Sequence, residues 1–339
     1  MHMADALISP AVGGALWAGT ALTATYAVRK VQHELEDKKI PLMGVMGAFV
    51  FAAQMINFTI PGTGSSGHIG GGMLLAILLG PFAGFLTLAS VLVIQALFFA
   101  DGGLLALGCN IMNMGFFTCF VAYPLIYRIM TRKNTSKRRL TLASVLSVVA
   151  ALQIGAFAVV LETFISGRTE LPLGTFVLFM QPIHLAIGLV EGLITAAVVV
   201  FLKEARPDLL QSDAAPKKMW PYKRVLAVLV ALALLTGGIL SWYASSHPDG
   251  LEWSIEKTAG STELESSGSV HQALSEVQEK TALLPDYQLK ESAEDISAQN
   301  AGTSISGIAG SVLTLGLVAV ICLLILFFKK RREPHSRIM

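Results

Sequence analysis

The chain is predicted to be an all-α integral membrane protein. A bundle of about seven helices comes first, followed by a two-helix C-terminal hairpin carrying an extracytoplasmic segment. Two observations predict this. Hydrophobic residues make up 53% of 339 residues and charged residues 14%, with a mean hydropathy of +0.63. Apolar runs also recur at the length of roughly 20 residues that a helix needs to cross the hydrocarbon core.

Spans are expected near residues 9–28, 41–59, 69–79, 81–100, 104–128, 140–165, 174–202, 223–243 and 307–328. The third is short and ends at Gly80-Pro81, a helix-breaking pair, so a broken or re-entrant helix is expected there. Lys and Arg number 4, 6, 6 and 5 in the segments 29–39, 128–139, 203–224 and 329–339, which is 21 of the 25 in the chain. With nine spans these segments share one side, and the positive-inside rule makes it the cytoplasm. The amino terminus, the 60–68 loop and residues 244–306 then face outside, and the carboxyl terminus inside. Residues 1–8 lack a basic stretch and carry Asp5, so no cleavable signal peptide is expected.

Two units are expected: a transmembrane domain over 1–203 and an accessory two-helix domain over 223–339, joined by a polar cytoplasmic linker, 204–222. The 244–306 segment holds 11 acidic and 3 basic residues with many Ser and Ala, a composition that suits a loosely ordered or partner-dependent region. The first span is rich in Gly and Ala (Gly13, Gly14, Ala15, Ala18, Gly19, Ala21, Ala24), which allows close helix approach. That face either docks another subunit or packs within its own bundle. Cys109, Cys119 and Cys322 sit in apolar runs without CxxC spacing and read as packing residues.

Histidine in second place makes a chelator. The Met1 amine and the His2 amide nitrogen close a five-membered ring on a metal ion, and the amide nitrogen with imidazole Nδ1 closes a six-membered one. One more imidazole completes a plane of four nitrogens, a set that suits Ni(II) or Cu(II), and Co(II) at low coordination. His68, in the glycine-dense loop Pro61-Gly62-Thr63-Gly64-Ser65-Ser66-Gly67-His68, falls on the same side. Candidate metal ligands are therefore Met1, His2 and His68.

Polar groups inside a membrane are costly and mark function. Asn110 and Asn113 either hydrogen-bond a histidine ring or bound loop, or link helices. His184 and Glu191, seven apart, share a helix face as a buried pair and are read chiefly as a structural network, with a ligand role for His184 as the alternative. Asp5, Ser66, Asn110, Asn113, His184 and Glu191 are the candidates for support around the ligands. The Met residues lack the clustering of a Cu(I) site. No GxxxxGK[ST], HExxH or Ser/His/Asp arrangement occurs, so neither ATP hydrolysis nor another enzymatic activity is expected of this chain, and no catalytic residue is assigned.

Met1-His2-Met3-Ala4-Asp5, Ser66-Gly67-His68-Ile69, Asn110-Ile111-Met112-Asn113-Met114 and Pro182-Ile183-His184-Leu185 with Glu191-Gly192 resemble the substrate-capture subunit of nickel/cobalt energy-coupling-factor (ECF) transporters. Pro248-Asp249-Gly250-Leu251-Glu252-Trp253-Ser254 resembles the accessory subunit of the same systems. The resemblance covers essentially the whole chain, as a fused capture-plus-accessory polypeptide. It departs at Met3-Ala4, where the family has Ile-Pro, and at Ala6, where it has Gly. It implies capture of Ni(II), or alternatively Co(II) for cobalamin synthesis, held by Met1, His2 and His68. The metal is substrate, and no organic cofactor is implied. The implied partners are a transmembrane coupling subunit and a cytoplasmic ATPase, in the inner membrane of a bacterium or archaeon, with no nucleic acid. A proton-coupled secondary carrier using His184 and Glu191 is the rival from another class.

Overall fold

The computed structural model describes residues 2–34, 39–169, 171–210, 219–262, 264, 268–289 and 296–332. Met1, residues 211–218 of the linker and residues 333–339 of the tail lie outside the described residues.

Helices α1 (Pro10–Glu34) and α2 (Lys39–Gln54) are followed by a hairpin of β1 (Phe58–Ile60) and β2 (Ser65–Gly67). Then come α3 (Gly72–Leu79), α4 (Pro81–Phe99), α5 (Leu107–Thr131), α6 (Lys137–Ser166) and α7 (Leu173–Ala205). The accessory half adds α8 (Tyr222–Gly238), α9 (Gly250–Ala259), α10 (Ser269–Thr281) and α11 (Ile296–Arg332). By length and composition, five of these helices (α4, α5, α6, α7 and α11) can cross a membrane. α2 and α8, with 16 and 17 residues, fall short of the roughly 20 that a full crossing takes.

The expected second span overran its helix. Ile56, Phe58 and Ile60 are apolar, but the turn residues after them fold the chain into an antiparallel hairpin that pairs Phe58 with Gly67 and Ile60 with Ser65. Gly62 and Gly64 take φ of +79° and +75° in its turn, which glycine adopts without steric cost. α3 has eight residues, all buried, and rises only about 12 Å at 1.5 Å per residue. It turns at Gly80 and packs back on α4, where a Cβ on Gly84 would stand 2.9 Å from Ala76 N. The middle of α5, Met112–Tyr127, is wound as a π-helix, with Arg128 N–H bonding Tyr123 O five residues back.

The small residues of α1 divide between the two readings. Gly13 lies against Leu105, Trp17 Nε1 donates to Leu104 O at 2.9 Å, and Thr20 Oγ1 donates to Gly108 O at 2.9 Å. Gly14, Ala15, Ala18 and Ala21 remain exposed. The three cysteines are buried and free.

The accessory half is built into the bundle. α11 packs along α2 and α8, with Cys322 Sγ 3.7 Å from Met43 Sδ, and α9 packs on α7. The expectation of a loosely ordered 244–306 segment is corrected, because most of its described residues form helices seated on one end of the bundle. Ser245 N–H donates to Asn57 O at 2.7 Å, Trp253 Nε1 to Thr63 O at 3.0 Å, and Leu284 N–H to Phe98 O at 3.1 Å. Composition hid this, since the charged faces of α9 and α10 outnumber the few apolar anchors, such as Leu251 and Ile255.

Candidate metal-capture site

The amino-terminal segment runs into the end of the bundle that carries the β-hairpin. Met3 is fully buried. Its N–H donates to Asn110 Oδ1 at 2.8 Å, and its carbonyl accepts from Asn110 Nδ2 at 3.3 Å. Asn113 Nδ2 lies 3.7 Å from Met3 Sδ and donates to Glu162 Oε2 at 2.8 Å. Asp5 Oδ1 accepts from Ala106 N–H at 2.9 Å, and His271 Nε2 lies 2.9 Å from Ile8 O. These contacts fix the path of residues 2–8, so His2 stands where the segment meets the hairpin.

His68 follows β2 directly, and its ring stacks on that of His2 with centroids 5.0 Å apart and planes 15° from parallel. Burial, foremost, holds both ring pKa values down to about 3, which favours the neutral imidazole over the charged form. His2 Nδ1 faces Asp101 Oδ1 at 3.2 Å, and His68 Nε2 faces Asp249 Oδ2 at 3.9 Å. Burial raises the pKa of the Asp101 carboxyl. Among the described residues no three His, Cys, Asp or Glu side chains converge as a metal-holding group. A site made of side chains alone is therefore not present in this geometry, and Met1 lies outside the described residues.

The other sequence candidates take different places. Glu191 accepts Gly70 N–H at 2.8 Å and Gly71 N–H at 2.9 Å, one on each carboxylate oxygen, and so holds the turn just after His68. His184 Nδ1 donates to its own helix at Met180 O, 2.8 Å away. The expectation of a His184–Glu191 pair is thus corrected: both are buried on α7, but each is bonded to backbone instead of to the other. They meet only as walls of a small cavity of about 20 Å³ beneath His68, room for about one water. Ser66 does not turn toward the imidazoles either; its hydroxyl donates to His247 O at 2.7 Å and its N–H to Pro248 O at 2.8 Å.

Asp101, Glu162 and Tyr287 escaped sequence reading, and Asp249 was singled out only within the motif that resembles the accessory subunit. A signal for Asp249 was present in Asp-Gly-Leu-Glu, the pattern of a helix N-terminal capping box. Leu251 and Glu252 N–H donate to Asp249 Oδ1 at 2.8 and 2.9 Å, and Asp249 N–H donates to Glu252 Oε2 at 3.0 Å. Gly250 is required by close approach, because a Cβ there would lie 2.9 Å from Ile187 Cδ1 and 3.2 Å from His184 Cε1. Leu251 is 2% exposed. The motif therefore starts α9 and seats it on α7 beside His68. Tyr287 arrives from the far end of the same segment and donates its hydroxyl to Asp101 Oδ2. No local pattern announces it.

Comparison with known proteins places this geometry in context. Residues 2–209 match the family described as the cobalt uptake substrate-specific transmembrane region, and residues 223–326 match the PDGLE domain. A putative fused nickel transport protein of Archaeoglobus fulgidus is 36% identical over 319 residues, covering 94% of this chain and 96% of that protein. A cobalt transport protein of Geobacter sulfurreducens is 31% identical over 265 residues, 71% of each chain. The crystal structure of a truncated transition metal transporter superposes with a TM-score of 0.53 at 34% identity, covering 60% of this chain and 99% of that one.

Proposed function

Because the chain belongs to the family of cobalt-uptake substrate-specific transmembrane regions, joined here to a PDGLE domain, we propose that it is the capture subunit of an ATP-driven importer for Ni(II). The ion is held by the Met1 amine, the amide and imidazole of His2, and the imidazole of His68. One observation carries this reading: a buried amino-terminal segment, tied to Asn110 at Met3, lays the His2 ring on the His68 ring. A terminus without a task would not be threaded into a bundle and bonded on both sides of its third peptide.

The residues fit the cargo. Two neutral imidazoles and two backbone nitrogens supply four nitrogens, the donor type and number for planar Ni(II). The chain has no P-loop sequence, so ATP is hydrolysed by a separate cytoplasmic subunit acting through a transmembrane coupling subunit. The His2–His68 end faces outward and the basic tail inward, as the distribution of Lys and Arg requires. Co(II) is the second reading, favoured by the description of the family itself; nickel is preferred because a relative sharing the fused architecture is described as a nickel transport protein. The proton-coupled carrier loses its support, since His184 and Glu191 are bonded to separate backbone groups.

The test is metal content after equilibration with Ni(II) and Co(II) in competition. The wild-type chain should bind one Ni(II) in preference to cobalt. Residues added before Met1 turn the amine into an amide and should abolish binding, whereas a tag after Met339 should not. Equal affinity with the amino-terminal extension would sink the site.

A further inference from the structure

Glu162 is a buried carboxyl group within the membrane-spanning helix α6, and the capture reading gives it no task. Ionisable groups at such positions are costly and mark function. Its partner is on the neighbouring helix: Asn113 Nδ2 of α5 donates to Glu162 Oε2 at 2.8 Å.

That bond decides which way the Asn113 amide points. Nδ2 carries two hydrogens. One goes to Glu162, and Nδ2 also stands 3.7 Å from Met3 Sδ, within reach of a weak N–H···S contact. Asn113 Oδ1 has no hydrogen-bond partner among the described residues, so the contacts of Nδ2 alone orient the amide. Of the two, the carboxylate oxygen is a far stronger acceptor than the thioether sulfur. A reversed amide would set Oδ1 against both, acceptor facing acceptor.

Met3 is fully buried, and Asn110 holds only its backbone, at N–H and carbonyl. Asn113 addresses its side chain. A leucine there would fill similar space without offering an acceptor. The third residue is thus fixed twice, and the second hold runs from Glu162 through Asn113 to the sulfur.

Resting on the capture reading above, we propose that Glu162 is a positioning residue for nickel capture. It aims the Asn113 amide at Met3 Sδ and so locks the side chain of the residue next to His2. Its part is exerted through Asn113 and Met3, and the His2 ring takes its place over His68 from a segment held at both backbone and side chain.

The experiment is a double-variant cycle on the full chain loaded with Ni(II), with release into excess chelator followed by the absorbance of the planar nitrogen complex. Glu162→Ala and Met3→Leu should each speed release about fivefold. The two together should be no more than twofold faster than Met3→Leu alone, because Glu162 has nothing left to aim at. Glu162→Gln keeps an oxygen that accepts from Nδ2 and should stay within twofold of wild type. Multiplying effects in the double variant overturn the proposal, since Glu162 would then merely tie α5 to α6. Release from Glu162→Gln as fast as from Glu162→Ala also overturns it. Met3→Leu alters no membrane-spanning residue, so its unchanged release overturns the proposal even where Glu162→Ala does not fold. Exchange of the Met3 N–H in the metal-free chain should accelerate in the same order. A wild-type chain that forms no planar complex defeats the capture reading instead, and the exchange rates then decide alone whether Glu162 positions Met3.

Discussion

Asn110 grips Met3 on both sides, accepting its N–H at 2.8 Å and donating to its carbonyl at 3.3 Å, across 107 positions of sequence. This is the geometry of one rung of a β-ladder, supplied by a side chain. The amino-terminal segment therefore docks without a strand partner, and His2 inherits its position from Asn110.

Asn110→Leu should free the segment. It leaves two buried backbone groups unpaired, at about 1–3 kcal/mol each. Nickel release should accelerate at least tenfold, while Asn110→Asp, which still accepts but cannot donate, should fall between. Release kinetics on the full chain check both, and unchanged release in Asn110→Leu would remove Asn110 from the site.

Glu191 should matter through the turn it holds. Glu191→Ala unpairs Gly70 and Gly71 N–H in a buried site and should lower the thermal midpoint together with nickel affinity. Glu191→Gln keeps one acceptor oxygen and should lose roughly half as much. A midpoint that drops while affinity holds would show that the turn does not position His68.

His271 belongs to α10 of the accessory half. It is 1% exposed, and its ring bridges α10 to the carbonyl of Ile8. His271→Ala should cost about 1–3 kcal/mol by leaving that carbonyl unpaired and should raise the reactivity of the amino terminus toward an amine reagent.

Gly250→Ala should undo the seating of α9. The added methyl meets Ile187 and His184 side chains that other residues hold in place, and overpacking of this kind costs about 1–3 kcal/mol. Uptake in cells should fall several-fold while the amino-terminal segment stays docked. Gly260→Ala would confuse the comparison, since φ there is +80°; Gly238, with open space around it, is the proper control.

Removal of residues 223–339 remains the broadest test of the fused architecture. The truncated chain loses Asp249, Tyr287 and the cover that α11 gives α2, so it should melt at lower temperature and fail to support uptake. Full uptake with coupling subunit and ATPase supplied would show the accessory half to be dispensable.

The helical bundle, the short third helix and the fused accessory half were legible in the chain because each rests on a local cause. Lipid demands long apolar helices, Gly80-Pro81 breaks one, and a change in composition marks the linker. The pairing of His2 with His68 was suggested by chelate chemistry and the side of the membrane, neither of which needs coordinates. The tertiary structure alone decided which groups stand beside them. Glu191 bonds Gly70 and Gly71 instead of His184, because a helix face shared by two residues fixes their direction but not their partners. Asp101, Asp249 and Tyr287 reach the imidazoles from segments distant in sequence, through contacts that no periodicity records. The order of the described residues of the 244–306 segment was likewise invisible: a few buried anchors and backbone hydrogen bonds fix it, and composition averages them away beneath its charged surface.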